Sequence, residues 1–175
     1  DYDNAGKYYR QAMAESPRYA DYAAFQYASI LGVRKQYADK IKALEQLLTD
    51  YPRSDYADDA MYDIGRAYVL TQQNDAAIAA YNRVLERFPR TNVARKAALE
   101  IGMLYANNND TENAIAAYKE VVNKYPSSEE AKVAIESMQT IYVDNNRINE
   151  YLAYRESIAG STITNEKKSL EDSLN

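Results

Sequence analysis

The 175-residue sequence contains no cysteine, no histidine and no tryptophan. Without cysteine the protein can form no disulfide and offers no thiolate to a metal, and this absence leaves its redox compartment open. Without histidine as well, neither a Ser-His-Asp or Cys-His triad nor an ordinary zinc site can be built. The sequence therefore predicts a protein that is not an enzyme and binds no metal.

Other absences narrow the partners. No apolar run approaches the roughly 18 residues that a membrane-spanning helix needs, so we expect no direct membrane insertion. The net charge of -5 and the scattered Lys and Arg residues disfavour nucleic acid. The five glycines form no phosphate-binding cluster, and we expect no cofactor. The acidic pairs at 58–59 and 129–130 are interpreted as residues that favour helix N-termini, because both follow prolines closely.

The prolines that are present mark a repeat. The four of them are separated by 35, 37 and 37 residues; they are Pro17, Pro52, Pro89 and Pro126. The pentapeptide Ala-Ile-Ala-Ala-Tyr occurs at 77–81 and again at 114–118, in the same position relative to the following proline. A period of 20 to 50 residues is typical of a solenoid, in which each unit packs only against its neighbours. Function must then be sought on the surface of the stack.

The residue types that recur have a packing explanation. A glycine inside a helix costs about 1 kcal/mol relative to alanine, so Gly65 and Gly102 indicate that another helix passes close by. We expect Ala77 to face Gly65 and Ala114 to face Gly102. Tyr81 and Tyr118 are expected to fill the space between one helix pair and the next. Because proline biases its predecessor away from the helical region, we expect helices to end at Tyr51, Phe88 and Tyr125.

The same frame divides the chain, which we expect to form one continuous solenoid over 1–175. Its predicted units are the second helix of an incomplete repeat (1–17), full repeats at 18–52, 53–89 and 90–126, a degenerate repeat at 127–160, and the start of a further repeat or a frayed tail at 161–175. The first full unit has Ala28 where later units have glycine and Lys40 where they have alanine. We expect its packing to be slightly looser.

This order of Gly, Tyr, Ala, aromatic and Pro resembles the tetratricopeptide repeat, a unit of two antiparallel helices, over nearly the whole chain. The resemblance implies an all-α, right-handed superhelical solenoid that binds a protein or peptide in its concave groove. The first helix of each unit lines that groove in the family. The family's peptide-contacting positions correspond here to Tyr22, Phe25, Ser29, Asp59, Tyr62, Arg66, Lys96, Leu99, Met103, Val133, Glu136 and Thr140.

A further resemblance suggests a setting. The phrase Tyr-Pro-Arg-Ser-Asp-Tyr-Ala at 51–57, followed by Ala60, Tyr62 and Gly65, is similar to repeats of bacterial envelope proteins. These include outer-membrane assembly lipoproteins and the Tol-Pal-associated coordinator. The ending from 150 onward, through 160 and 172–174, is similar to long repeat proteins of the Bacteroidota. The resemblance implies a scaffold that is periplasmic or associated with the outer membrane.

The predicted groove lacks the Lys and Asn clamp with which chaperone-binding family members hold a C-terminal carboxylate. A short helix or extended segment with apolar anchors suits Tyr62, Leu99 and Met103 better, with Arg66 and Lys96 orienting it. Two alternatives stay open. One is a glycan-binding module, against which the absence of tryptophan weighs. The other is a passive spacer or self-association segment of a longer repeat protein, in which case an oligomer of this stretch alone could be an artefact of truncation.

Overall fold

The computed structural model describes residues 1–159. They form nine α-helices and one short 3-10 turn, Pro17–Tyr19, and they include no strand. The helices are α1 (Tyr2–Glu15), α2 (Ala20–Val33), α3 (Tyr37–Asp50), α4 (Ala57–Leu70), α5 (Asn74–Arg87), α6 (Asn92–Asn107), α7 (Thr111–Lys124), α8 (Glu129–Asp144) and α9 (Ile148–Ala159). The all-α prediction is confirmed. The unit predicted at 161–175 and Gly160 lie outside the described residues.

The helices stack in sequence order. Each packs mainly against its neighbours along the chain, and three-residue connections make hairpins of α2 with α3, α4 with α5, α6 with α7 and α8 with α9. We call α2, α4, α6 and α8 the first helices and the others the second helices. In the part of the chain that the structure describes, α4 also packs on α6 and α6 on α8, whereas α3, α5 and α7 make no comparable contacts with one another. The first helices therefore lie closer together and line the inner face of the stack.

The hairpin turns share one geometry. The second residue of each three-residue connection has a positive φ between 56° and 59°; these residues are Lys35, Gln72, Asn109 and Asn146. In the second hairpin the Gln73 N–H donates to the Tyr68 carbonyl at 2.9 Å and the Gln72 N–H donates to the Val69 carbonyl at 3.0 Å. These two bonds are the Schellman pattern that satisfies the last carbonyls of a helix. No glycine stands at any of the four left-handed positions.

The connections between hairpins contain the prolines. Helices α3, α5 and α7 end at residues 50, 87 and 124, and Tyr51, Phe88 and Tyr125 are the next residues. The prediction that helices end at these aromatic residues is confirmed to within one position. Thr91 and Ser128 cap the following helices α6 and α8 by accepting backbone N–H groups in the first turn. The acidic pairs at 58–59 and 129–130 lie in the first turns of α4 and α8, where the helix dipole favours negative charge.

The contact made by the buried glycines differs from the prediction. A Cβ added at Gly65 would lie 2.4 Å from Cε1 of Tyr81, and one at Gly102 would lie 2.5 Å from Cε1 of Tyr118. The closest partner of each glycine is therefore the tyrosine of its own hairpin, and not Ala77 or Ala114. Tyr81 and Tyr118 lie within the hairpins and are 1% and 2% exposed. The missing glycine side chain makes room for a flat aromatic ring.

The first full unit uses a different pair at the same positions. Ala28 replaces the glycine and Leu44 replaces the tyrosine, and both are completely buried. Lys40, at the position of Ala77, reaches the next unit, where its Nζ lies 2.7 Å from a carboxylate oxygen of Asp63. This unit thus replaces a glycine and an aromatic ring with alanine and a smaller aliphatic side chain, and it adds an ion pair to the contact with its neighbour.

The tyrosines that recur at repeat positions or precede the prolines divide into two groups by burial. Tyr81, Tyr118 and Tyr142 are buried. The others are half-buried; they are Tyr9, Tyr51, Tyr68, Tyr105 and Tyr125. In the degenerate unit Tyr151 occupies the position of the small Ala114 and is buried, with its ring centroid 6.1 Å from that of Tyr142. Within residues 1–159, no helix combines the length and the apolar character required to cross a lipid bilayer.

Candidate protein-binding groove

The predicted groove residues all lie on first helices. Three come from each of α2, α4, α6 and α8, at spacings of three, four and seven residues that share one helix face. The exposed members are Tyr22, Asp59, Arg66, Lys96, Met103, Val133, Glu136 and Thr140. The structure thus brings the predicted residues onto one side of the stack. Their role in binding stays a prediction.

The other four predicted residues are partly committed to packing. Phe25 and Tyr62 are half-buried against the core of the first two units, and Leu99 is half-buried against the core of the last two. The Tyr62 ring lies 5.5 Å from the ring of Tyr81. The Ser29 hydroxyl donates to the Phe25 carbonyl at 3.0 Å within its own helix. A partner could contact the edges of these side chains but would not find them free.

Tyr56, which the sequence analysis did not include, shapes the aromatic end of the groove. It precedes α4, and its ring stacks on Phe25 with centroids 5.3 Å apart and planes at 18°. Its centroid is also 5.7 Å from that of Tyr22. The cluster of three rings joins the first full unit to the second. Tyr22, 41% exposed, is the member that offers the most surface to a partner.

The exposed large apolar side chains in the middle of the chain lie on the first helices. Between residues 20 and 147, every large apolar side chain that the structure leaves exposed lies on a first helix. We call this set the apolar stripe: Tyr22, Val33, Leu70, Met103, Val133 and Val143. The sequence analysis missed Val33, Leu70 and Val143, although each follows a predicted residue by three or four positions and so extends the same helix face. Helices α3, α5 and α7 expose no large apolar side chain.

A second set of groove residues recurs with the period of 37. We call it the polar ladder: Gln26, Asp63, Glu100 and Ser137. All four are half-buried, and each adjoins a predicted groove residue in the sequence. Asp63 is bound by Lys40 at 2.7 Å and lies 3.8 Å from Arg66. The period itself was the signal that could have identified the ladder.

Within residues 1–159, Glu100 forms no ion pair, and its carboxylate accepts no hydrogen bond. Burial raises the pKa of Glu100 above its usual value, and the positive charge of Arg66 opposes that rise only in part. Glu100 in turn helps to raise the pKa of the Tyr62 and Tyr81 hydroxyls, after burial as the main cause. The carboxylate is therefore half-buried and has no cation within 4 Å among the described residues.

Charges of both signs border the apolar stripe. Burial is the first cause of a raised pKa at Asp59, followed by the negative charges of Asp58 and Asp63, while Lys96 on the neighbouring first helix lowers it. Arg66 and Glu136 are exposed on the same side. The border is thus mixed, and the first helices within residues 1–159 carry no cluster of cations on this side.

Comparison with known families identifies the fold. The profile described as tetratricopeptide repeat matches residues 28–91 and again residues 62–129, which together make up more than half of the chain. The chain belongs to the tetratricopeptide repeat family. Repeats of this family generally act as scaffolds for protein–protein interaction and not as catalysts. Comparison with curated protein sequences gives no significant match.

Solved structures of tetratricopeptide repeat proteins share this architecture. The crystal structure of MamA superposes with a TM-score of 0.66 at 20% identity, covering 98% of this chain and 92% of MamA. A tetratricopeptide repeat protein from Parabacteroides merdae gives a TM-score of 0.65 at 13% identity, covering 93% of this chain and 62% of that one. Nearly identical repeats from Podospora anserina give 0.63 at 13% identity, covering 91% and 90%. These similarities show the fold alone.

Eight of the twelve predicted groove residues are exposed, so the groove presents an open face. Four clefts among the described residues lie away from it, and none of these four is lined by a predicted groove residue. One, of about 430 Å³, lies between α1, α2 and α3 and is lined by Met13, Leu31 and Leu47 among others. Another, of about 680 Å³, involves α7, α8 and α9. An open face fits a polypeptide segment better than a small molecule, which usually binds in a cavity.

Proposed function

We propose that this protein is a non-enzymatic scaffold that captures a helix or an extended segment of a partner protein in the groove lined by its first helices. The observation that carries the proposal is the apolar stripe. Exposed large apolar side chains in the middle of the molecule are confined to one side of the stack. Aromatic and Met side chains are also the types enriched at the centres of interfaces.

The arrangement of the stripe suits a segment that runs across several units. Tyr22, Leu70, Met103 and Val133 come from four successive first helices, and each is more than 40% exposed. A partner would bury one apolar anchor at each helix it crosses. Several small contacts of this kind, spread along a rigid solenoid, are how extended concave surfaces bind.

The border charges would set the direction of the bound segment. Arg66 and Lys96 lie on the central helices α4 and α6, while Asp59 and Glu136 supply opposite charge near them. Charges at the rim of an interface govern orientation and the rate of association more than affinity. Because these cations are few and lie apart, they do not form a clamp for a C-terminal carboxylate. The groove therefore suits an internal segment with apolar anchors.

The test compares two double variants of the same chemical type. Leu70→Glu with Met103→Glu places charge in the apolar stripe, while Ala79→Glu with Ala116→Glu places the same charges at exposed positions of the second helices α5 and α7. Each would be used for crosslinked affinity capture from the native host, read by mass spectrometry. Circular dichroism would check that both variants keep their helix content.

We expect a partner that the wild type and the second-helix variant capture and that the stripe variant loses. Equal capture by all three proteins would refute the groove, and would direct attention to a spacer or glycan-binding role. Variants at Phe25 or Tyr62 would be less informative, because these side chains also pack against the core.

We also propose that the scaffold works in a bacterial envelope, in the periplasm or associated with the outer membrane. The similarity of the segment at 51–57 to envelope repeat proteins supports this setting. Fractionation of host cells with an antibody against the protein tests it directly. Recovery in the cytoplasmic fraction alone would refute the proposal while leaving the groove untouched.

A further inference from the structure

The residues of the polar ladder have different partners at successive contacts between units. At the first contact, Lys40 of α3 reaches across to Asp63 of α4, with N and O atoms 2.7 Å apart. At the next contact the same two positions hold Ala77 of α5 and Glu100 of α6. An alanine carries no charge, so the carboxylate has lost the cation that its predecessor possesses.

The third contact shows another way to satisfy the same position. Ser137 of α8 replaces the carboxylate with a hydroxyl, which carries no charge that needs a cation. Asp63 thus has a cation and Ser137 is neutral. Among residues 1–159, Glu100 is the acidic member of the ladder that has neither an ion-pair partner within 4 Å nor a hydrogen bond to its carboxylate.

We propose that Glu100 receives a lysine or arginine side chain of the bound segment, so that the partner supplies the cation that Ala77 does not. This inference rests on the proposed function, since it places a partner segment in the groove. It specifies the chemistry of that segment: apolar anchors for the stripe, with one basic residue directed between α4 and α6.

The position of Glu100 allows this contact. It lies four residues after Lys96 and three before Met103, on the helix face that carries the exposed Met103 of the apolar stripe. Its half-burial would hold a salt bridge partly out of water, where charge pairs are stronger than on an open surface. Burial of the carboxylate also raises its pKa, as expected of a charge that lacks compensation in the free protein.

The surroundings favour a long cationic side chain. The negative charge of Glu100 contributes to the raised pKa of the Tyr62, Tyr81 and Tyr118 hydroxyls, so these phenols lie within reach of its electric field. Aromatic rings attract ammonium and guanidinium groups, and they also pack against the methylene stem of Lys or Arg. Arg66 lowers the pKa of Glu100, but it is exposed and makes its ion pair with Asp63, at 3.8 Å.

Charge at the centre of the groove leaves Glu100 as the acid that a partner can match. The acidic residues there are Asp59, Asp63 and Glu100, and the cations are Lys40, Arg66 and Lys96, of which Lys40 is paired with Asp63 at 2.7 Å. The surface as a whole is balanced, so the attraction for a basic side chain is local to Glu100, where an acidic side chain would meet repulsion.

The test selects peptides from a random-peptide phage library on the immobilised 175-residue protein and measures the affinity of the selected peptides by calorimetry. We expect groove-dependent peptides, defined as those that the Leu70→Glu, Met103→Glu variant fails to bind, to share one Lys or Arg among apolar residues. Glu100→Gln should weaken their binding about tenfold or more. Glu86→Gln, the same change at an exposed position of the second helix α5, is the control and should leave their affinity unchanged.

Replacing the shared basic residue of a selected peptide by Gln should cost as much as Glu100→Gln, and the two changes together should cost little more than either alone. Two results would overturn the inference and leave the proposed function standing. One is that the groove-dependent peptides share no basic residue. The other is that replacing their basic residue lowers the affinity for the Glu100→Gln variant as much as for the wild type. Recovery of no groove-dependent peptide would count against both. Loss of helix content in Glu100→Gln would instead assign Glu100 a structural role and overturn the inference.

Discussion

The contact between Gly65 and Tyr81 can be tested by filling it. In Gly65→Ala, the new methyl group would lie 2.4 Å from Cε1 of Tyr81, where ordinary carbon contacts are 3.4 Å or longer. The ring or the helix must therefore move by about 1 Å, and Tyr81 has little room because it is only 1% exposed. Overpacking of this kind costs about 1–3 kcal/mol. The better helix propensity of alanine returns about 1 kcal/mol, so we expect a net loss of up to about 2 kcal/mol.

The same reasoning predicts that a second substitution rescues the first. Tyr81→Leu alone should destabilise the protein by about 2–3 kcal/mol, because it leaves a cavity beside the glycine. The double variant recreates the Ala28 and Leu44 combination of the first full unit, in which both residues are completely buried. The added methyl group then occupies part of the cavity and meets no ring. We expect a favourable coupling of about 1 kcal/mol or more between the two changes.

Urea denaturation of the four proteins, followed by circular dichroism, gives this double-mutant cycle. The slopes of the transitions must agree among the variants, because solenoids can unfold in parts. Gly32→Ala is the matched control, since a Cβ there would meet the Lys40 side chain at 3.1 Å, which requires a shift of only a few tenths of an ångström. It should cost less stability than Gly65→Ala. Additive effects of Gly65→Ala and Tyr81→Leu would refute the steric account.

Three further predictions concern the turns and the polar ladder. Gln72→Gly should stabilise the protein by about 1 kcal/mol, because Gln72 has a left-handed φ of 59°. The control is Gln73→Gly, at a φ of -99°, which should not stabilise the protein; calorimetric unfolding measures both variants. Asp63→Asn should destabilise the folded protein by about 1–3 kcal/mol, since it leaves the half-buried Lys40 without its counter-ion. Glu100→Gln, the corresponding change in the next unit, should be neutral or stabilising in the urea denaturation assay. Equal losses of stability in the two variants would contradict the assigned pairing. Finally, the folded state raises the pKa of Glu100 and so binds its proton more tightly than the unfolded chain, which means that the ionised carboxylate costs stability at neutral pH. The advantage of Glu100→Gln over the wild type should therefore be full at pH 7 and vanish as the pH falls below the ordinary glutamate value of 4.5, as thermal unfolding across this range would show; an advantage that grows on acidification would exclude this explanation.

The period of the prolines was sufficient to predict the helices, because proline and the residue before it determine where a helix can end. It was not sufficient to predict which side chains meet. The sequence indicated a close approach at Gly65, but Ala77 and Tyr81 lie on the same helix, four residues apart. Their spacing alone could not show that the larger side chain was the one facing the glycine.

The sequence predicted where the groove lies, but it identified only some of the residues that line it and not which of them are exposed. Family correspondence places Tyr62 and Met103 on the inner face, but it does not show that Tyr62 packs on Tyr81 while Met103 is exposed. Tyr56 lies outside any helix, so helical spacing could not place it in the aromatic cluster. Glu100 was overlooked because its importance depends on a residue in another unit, Ala77, that is too short to reach it.

The two solutions found at one packing position limit how this array can have grown. A helix α5 inserted after α2 would press a tyrosine ring against the methyl group of Ala28, and a helix α3 inserted after α4 would leave Leu44 facing the gap at Gly65. Either exchange of single helices would produce a defective hairpin. A whole hairpin can be copied or lost with its internal fit intact, so the heritable unit of this array is the hairpin and not the helix.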